Sequence, residues 1–258
     1  MASTADGDFP LLVERSADRV VATLSRPDKR NAIDQATIDA LHELCAELEA
    51  EPRALILTGA AGVFAAGADI AELRERRAAD ALRGINAHAF IRVAELPMPV
   101  IAAIDGYALG GGAELAYAAD IRIGTPSLAI GNPETGLGIL AAAGASWRLK
   151  EIVGDARATE LLLTGRTVTA EEALRIGLVS SLHDSSDLLT AAHAIADRIA
   201  RNDRAATIAT KRVFRAPRDR HPSVDLEAQA ELFESPEKFR RMTDFLERRR
   251  RTHEGERV

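Results

Sequence analysis

Val100-Ile101-Ala102-Ala103-Ile104 is an unbroken apolar run that stops at Asp105-Gly106 and leads, a few residues later, into Gly110-Gly111-Gly112-Ala113-Glu114-Leu115. A short apolar run closed by turn residues reads as a buried strand, and the glycine cluster beyond it reads as the opening of a helix. The same layout occurs once more. Residues 54–58 form a short apolar strand ending at Gly59; after a loop through Gly62 and Gly67, Asp69 and Glu72 stand at capping-box spacing and predict another helix start, with Ala66-Gly67-Ala68 in the turn before it. Ile121-Arg122-Ile123 begins a third strand. Strands therefore alternate with helices to about residue 180, which defines an α/β chain.

Around this centre the chain is read as follows. Residues 11–14 and 20–24 predict a strand pair about a polar turn, followed by a loop at Arg26-Pro27-Asp28-Lys29-Arg30. Ile33, Leu41, Leu44, Cys45 and Leu48 recur at helical spacing, with Asp34 as the cap and Pro52 as the stop. Thr169 and Glu172 form a further capping-box pair, and Gly177 ends that helix. From Asp187 onward the pattern is helical, broken at Pro217, at Pro222 and at Ser235-Pro236. The 258 residues thus divide into a disordered lead-in at 1–8, an α/β core over 9–200 and a helical region over 201–258.

Composition excludes several function classes. Thirty-three basic against 39 acidic residues give a net charge of −6, which offers no global attraction to nucleic acid or to an anionic membrane. The basic run Arg248 to Arg251 reads as a solvated helix end, with RNA contact as the sharper alternative. The single cysteine, Cys45, allows no internal disulfide and fits a reducing compartment. No apolar stretch reaches the roughly 20 residues needed to span a bilayer. A cytoplasmic location is expected. No P-loop, His-Glu-x-x-His, cysteine pair or Gly-x-Ser-x-Gly occurs, and Gly136-Leu137-Gly138-Ile139-Leu140-Ala141 matches a dinucleotide pattern by letters only, since no strand leads into it.

Two glutamates carry the chemistry. Glu114 follows three glycines at a helix start, and Glu134 lies in Gly131-Asn132-Pro133-Glu134-Thr135-Gly136. Free N–H groups at a helix start carry partial positive charge, and glycines let backbone approach a ligand without a Cβ in the way. An exposed glutamate in a first helical turn is ordinary, but Glu114 sits between apolar Ala113 and Leu115-Ala116, where an ionised side chain is costly without a task or a partner. The pair reads as acid and base. The two turns that precede helices place Ala68 and Gly111 so that their backbone N–H groups aim at one point, an oxyanion hole; taken singly, those glycines are turn and cap residues.

These residues resemble the crotonase family, also called the enoyl-CoA hydratase/isomerase superfamily, over residues 9–182. Arg26-Pro27-Asp28-Lys29-Arg30-Asn31-Ala32 is similar to its R-P-x-x-x-N-A loop, Phe64-Ala65-Ala66-Gly67-Ala68-Asp69-Ile70 to its F-x-A-G-A-D segment, and the block from Gly106 to Leu115 to its G-x-x-x-G-G-G-x-E-L signature. Glu172-Ala173 through Gly177-Leu178-Val179 resembles its closing motif. The resemblance implies a crotonase-like spiral of ββα units with a C-terminal helical region that mediates oligomerisation and covers the site, in homotrimers that often pair into homohexamers. It implies an acyl-coenzyme A thioester as substrate, with no metal and no redox cofactor. Ala68 and Gly111 then hold the thioester oxygen, backbone around Ala32, Ala66, Asp69 and Ile70 lines the coenzyme site, and Lys29 and Arg30 meet its phosphates. Carboxylates at the positions of Glu114 and Glu134 imply hydration of a 2-enoyl thioester. Isomerisation of a 3-enoyl to a 2-enoyl thioester is the neighbouring alternative, and a non-catalytic acyl-CoA- or RNA-binding protein is the alternative from another class. One segment departs from the family: Ala141-Ala142-Ala143-Gly144-Ala145-Ser146-Trp147-Arg148-Leu149 stands where P-G-A-G-G-x-Q-R-L is usual, so the acyl pocket is expected to differ, with Trp147 either narrowing it or filling the core.

Overall fold

The computed structural model describes residues 9–255; the expected lead-in at residues 1–8 lies outside the described residues. The chain opens with an antiparallel pair, β1 (Leu11–Arg15) and β2 (Arg19–Leu24), and β2 then pairs in parallel with β3 (Ala54–Gly59). Between them α1 (Gln35–Ala50) starts at Asp34, whose carboxylate accepts from the Thr37 N–H at 2.8 Å. This satisfies one orphan donor of the first turn. Ile38, Leu41, Leu44, Cys45 and Leu48 are the buried stripe of α1, as their spacing requires; Ile33 lies before the helix, in an isolated bridge to Ala68.

After β3 come three short helices, α2 (Ile70–Glu75), α3 (Ala78–Leu82) and α4 (Ile85–Glu95), then β4 (Val100–Ile104), all five of whose residues are buried. Asp69 caps α2 by accepting from Ala71 N–H, but Glu72 does not reach back to complete a capping box. Its carboxylate accepts from the Gln35 N–H at 3.1 Å, because the start of α1 offers a free donor nearby. The next strand, β5 (Tyr107–Leu109), belongs to a second sheet and leads into α5 (Gly111–Ala118). β6 (Ile121–Gly124) returns to the first sheet and β7 (Ala129–Gly131) to the second.

This is the spiral. Successive turns of chain give one strand to each sheet and then a helix: β3 and the Ala65 bridge to Ala108, β4 and β5, β6 and β7. The first sheet has the order β1-β2-β3-β4-β6, and its register aligns Val21, Ile56, Ile101 and Ile121 across four strands. Parallel strands with both faces covered read as continuous apolar runs, which is why β3 and β4 are visible in the sequence. The second sheet, β5-β7-β8 with β8 (Thr167–Thr169), is built of three-residue strands that the sequence pattern does not reveal. α6 (Lys150–Val153), α7 (Asp155–Thr164) and α8 (Ala170–Arg175) follow β7 or flank β8. Gly177, at φ +76°, ends α8 as expected.

The chain forms two compact units, the first ending at Arg198 and the second beginning at Ile199. α9 (Leu188–Ala200) runs through the boundary, and α10 (Arg204–Phe214), α11 (Ser223–Phe233) and α12 (Pro236–Gly255) make up the second unit. The breaks on either side of α11 fall at the expected prolines, while the break at residues 201–203, before α10, contains none and was not expected. Apolar side chains stay exposed in the second unit, among them Phe214, Leu226, Phe239, Met242 and Leu246.

Candidate active site

The geometry begins with Ala68. Its neighbours bind Ile33 on one side: Ile33 N–H donates to Gly67 C=O at 2.8 Å, and Asp69 N–H donates to Ile33 C=O at 2.9 Å. In such a parallel bridge the central residue points its own N–H away from the partner strand. Ala68 N–H therefore faces the other way, toward the start of α5. Gly111 is the first residue of that helix, so its N–H has no intrahelical acceptor. The two meet closely: a Cβ placed on Gly111 would lie 3.6 Å from the Ala68 nitrogen. The structure brings together the two donors that the sequence reading singled out.

The approach depends on glycine at two further positions. Gly110 has φ +50°, and a Cβ there would come within 3.1 Å of a Glu134 carboxylate oxygen. A Cβ on Gly112 would lie 2.3 Å from the Ala65 carbonyl oxygen, an overlap that the backbone must relieve by moving. So α5 can lie against the Ala65 segment, and Glu134 can reach its start, only without those side chains.

Glu114 lies one turn into α5, a helix whose every residue is buried. One of its carboxylate oxygens, Oε1, accepts from the backbone N–H groups of Ala143 at 2.7 Å and Ala145 at 3.1 Å. Those donors come from the segment that departs from the family pattern. They are backbone groups, so Ala143 and Ala145, on either side of Gly144, supply them without the usual glycine pair. Burial pushes the Glu114 carboxyl up to about 7, against the opposing pull of these two N–H groups and with a further push from the Glu134 charge.

Glu134 lies in a 3₁₀ turn over Pro133–Leu137 and is itself buried. Its Oε1 faces the Asn132 amide nitrogen at 3.4 Å, and its Oε2 is buried with no hydrogen-bond partner among the described residues. Asn132 is fixed from the other side by the hydroxyl of fully buried Tyr117, which donates to its Oδ1 at 3.1 Å. Burial raises the Glu134 carboxyl above its ordinary value. An unpartnered buried oxygen is costly unless a proton or a ligand meets it. Both carboxylates and both backbone donors line one cavity of about 500 Å³, together with Ile139 and Leu140.

The loop expected to meet the coenzyme is organised by Asn31. Its side chain is buried, donates to the Ala60 and Val63 carbonyls at 2.9 and 2.6 Å, and accepts from Arg26 N–H at 2.9 Å. Arg26 also donates to the Ala32 carbonyl at 2.7 Å and lies 3.4 Å from the Asp69 carboxylate. Ala66 N–H donates to Arg30 C=O, tying the loop to the Ala68 turn. Lys29 and Arg30 are exposed and have no carboxylate within 4 Å among the described residues, and Ile70 is 60% exposed. Trp147 fills neither role foreseen for it: it does not line this cavity, and at 38% exposure it is not a core residue. It stands in a π-helical turn, Ala145–Leu149, whose buried positions are Ala145 and Leu149.

Sequence reasoning did not find Arg76 and Asn86, which also line the cavity and are joined by a hydrogen bond from Arg76 Nη1 to Asn86 Oδ1 at 2.9 Å. The only trace of Asn86 in the sequence is a polar residue four before Phe90, on the side of α4 that turns to the core.

Two buried carboxyls and two backbone N–H groups on one cavity are parts suited to proton transfer on a carbonyl-bearing molecule. The family model described as enoyl-CoA hydratase/isomerase matches residues 14–256, and the chain belongs to that family. A short-chain-enoyl-CoA hydratase of Clostridium acetobutylicum is 36% identical over 249 residues, covering 93% of this chain and 95% of the relative. A protein of Mycobacterium tuberculosis described as a probable enoyl-CoA hydratase is 42% identical over 209 residues, covering 80% and 81%. Among solved structures, an enoyl-CoA hydratase from Bacillus anthracis superposes with a TM-score of 0.88 at 31% identity, covering 93% of this chain and 96% of that one. The fold is that of crotonase.

Proposed function

We propose that this protein is a 2-enoyl-CoA hydratase that adds water across the double bond to give a 3-hydroxyacyl-CoA. The observation that carries this reading is the presence of two buried carboxyls, Glu114 and Glu134, on the cavity that also holds the Ala68 and Gly111 N–H groups. The thioester oxygen sits between the two donors. Water oxygen bonds to Cβ, the π electrons move toward the thioester oxygen, and the charge that develops there is met by donors already in place. One glutamate takes a proton from the water; the other, protonated, delivers its proton to Cα. One water is added, and the pair keeps one proton, now on the carboxyl that deprotonated the water; its return to the other carboxyl resets the site. Two nearby carboxyls titrate as a pair, and burial raises both, which favours the form in which the pair holds one proton. These steps are complete without a metal or a redox cofactor.

Lys29 and Arg30, exposed and unpaired among the described residues, are suited to the coenzyme phosphates. The exposed Phe239, Met242 and Leu246, three and four residues apart on α12, support the reading that the second unit packs against other copies of the chain in a trimer or hexamer. Loss of the conjugated enoyl absorbance of crotonyl-CoA measures the activity directly. Glu114→Gln and Glu134→Gln are each expected to lower kcat by about 10²–10⁴-fold. Wild-type hydration by Glu134→Ala would refute the paired-carboxyl mechanism. Turnover of a 3-enoyl thioester without hydration of crotonyl-CoA would assign the site to isomerisation instead.

A further inference from the structure

Asn86 stands at the second position of α4, and Arg76 is the residue that ends α2. A guanidinium can only donate, so the 2.9 Å contact from Arg76 Nη1 requires the oxygen of the Asn86 amide to face it. The NH₂ group must then point to the opposite side. On that side, Nδ2 lies 3.6 Å from the point where a Cβ on Gly111 would be, the same distance as the Ala68 nitrogen from that point, with the Phe90 ring at 4.0 Å. Ala68 N–H, the start of α5 at Gly111 and Asn86 Nδ2 are thus neighbours on one wall of the cavity.

Asn86 Nδ2 has no acceptor among the described residues, although the side chain is half-buried. The amide nitrogen is open to the cavity it lines, where a ligand oxygen can accept from it. Nor has Arg76 a carboxylate within 4 Å among the described residues. Asp80, the other acid on this wall, is occupied by the Arg77 N–H at 2.9 Å and the Arg83 guanidinium at 2.6 Å. The Arg76 charge, which the Asp80 carboxylate also feels, withdraws electrons from the Asn86 NH₂ that faces the backbone donors.

We propose that Asn86 donates a third hydrogen bond to the thioester oxygen beside Ala68 and Gly111, and that Arg76 is the positioning residue that sets and polarises its amide. This rests on the reading of Ala68 and Gly111 as the oxyanion hole. A side-chain donor adds what two backbone donors lack: its strength depends on a second residue, so the hole is tuned by a pair outside the glycine motifs.

Asn86→Leu keeps the volume and removes the donor. It is expected to lower kcat for crotonyl-CoA on the order of 10²-fold with KM changed only a few-fold. Arg76→Met should lose about tenfold, and Arg76→Lys, which still donates to Oδ1, should recover most of that loss. A second readout does not need turnover. In a Glu114→Gln/Glu134→Gln background, the carbonyl stretch of bound crotonyl-CoA labelled with ¹³C at the thioester carbon should rise in frequency when Asn86 is replaced by leucine or, should that variant not fold, by alanine. The proposal is overturned by an unmoved carbonyl stretch, by a loss confined to KM, or by a kcat loss that appears only with thioesters carrying a polar acyl chain. A wild-type protein that hydrates no enoyl thioester would sink the hydratase reading, while the carbonyl stretch would still decide whether Asn86 touches the oxygen.

Discussion

The two carboxyls face one cavity from walls of different construction. Glu114 stands on α5, every residue of which is buried, and one of its oxygens is gripped by two backbone N–H groups. Glu134 stands on a short turn followed by exposed residues from Thr135 to Leu140; the Asn132 amide nitrogen lies 3.4 Å from one oxygen, and the second oxygen has no partner among the described residues. One carboxyl is held by the frame, the other by little more than burial. The difference teaches where the chain puts rigidity: a helix packed against backbone fixes the reference point for the chemistry, and the facing wall is left to accommodate what enters.

One substitution made on both walls tests this most severely. Gly112→Ala on the α5 side drives a Cβ to 2.3 Å from the Ala65 carbonyl oxygen and 2.8 Å from the Ala65 Cβ, so the helix must leave its seat. A loss of about 3 kcal/mol or more in unfolding free energy is expected, with activity falling further as Glu114 shifts. Gly138→Ala on the Glu134 side meets nothing within 4 Å and incurs only the left-handed φ of +75°, a cost of about 1 kcal/mol. Denaturant melts of the two variants check the contrast. Equal losses would show that the walls do not differ in rigidity.

The next test uses pH. The folded Glu114 carboxyl titrates at about 7, above its ordinary value of 4.5, so the folded state binds its proton more tightly than the unfolded state does. The stability this gives is fully present below pH 4.5 and is lost as pH rises through 7. A glutamine does not titrate and can still accept from the Ala143 and Ala145 N–H groups. Glu114→Gln should therefore gain on the wild type by about 3 kcal/mol between pH 4.5 and pH 8, read as a Tm difference that opens with rising pH. A difference that stayed constant across that range would place the Glu114 titration elsewhere.

How much of this was legible follows from how local each signal is. The α5 wall is written in contiguous residues, an apolar strand, a turn and a glycine cluster, and the chain folds there as those residues dictate. The caps at Asp34 and Asp69 are equally local. Glu72 shows the limit: its spacing to Asp69 fits a capping box, yet the donor it meets is the Gln35 N–H, brought close only by the tertiary fold. β5, β7 and β8 escaped because three residues carry too little alternation to register as strands. The Arg76–Asn86 pair escaped for the same reason as Glu72, since ten residues and a helix separate its members. Trp147 was misjudged because a lone tryptophan suggests a core or pocket wall, and its π-helical turn faces it toward solvent instead.

The smallest expected effect concerns what the second wall accommodates. Ile139 and Leu140 line the cavity just beyond Glu134, and they are 42% and 68% exposed, apolar surface left open among the described residues. An acyl chain extending past Cβ would cover part of them. Crotonyl-CoA has one carbon beyond Cβ and leaves Leu140 bare; an octenoyl chain has five. Burying the tip of a leucine gains on the order of 1 kcal/mol, which is about a fivefold change in affinity. The gain is the same in ground and transition states, because these carbons do not react. Leu140→Ala should therefore raise KM for octenoyl-CoA about fivefold, leave kcat alone, and leave crotonyl-CoA unaffected. A kcat loss with both substrates would mean that Leu140 positions Glu134, and the exposed wall would then serve the chemistry as directly as α5 does.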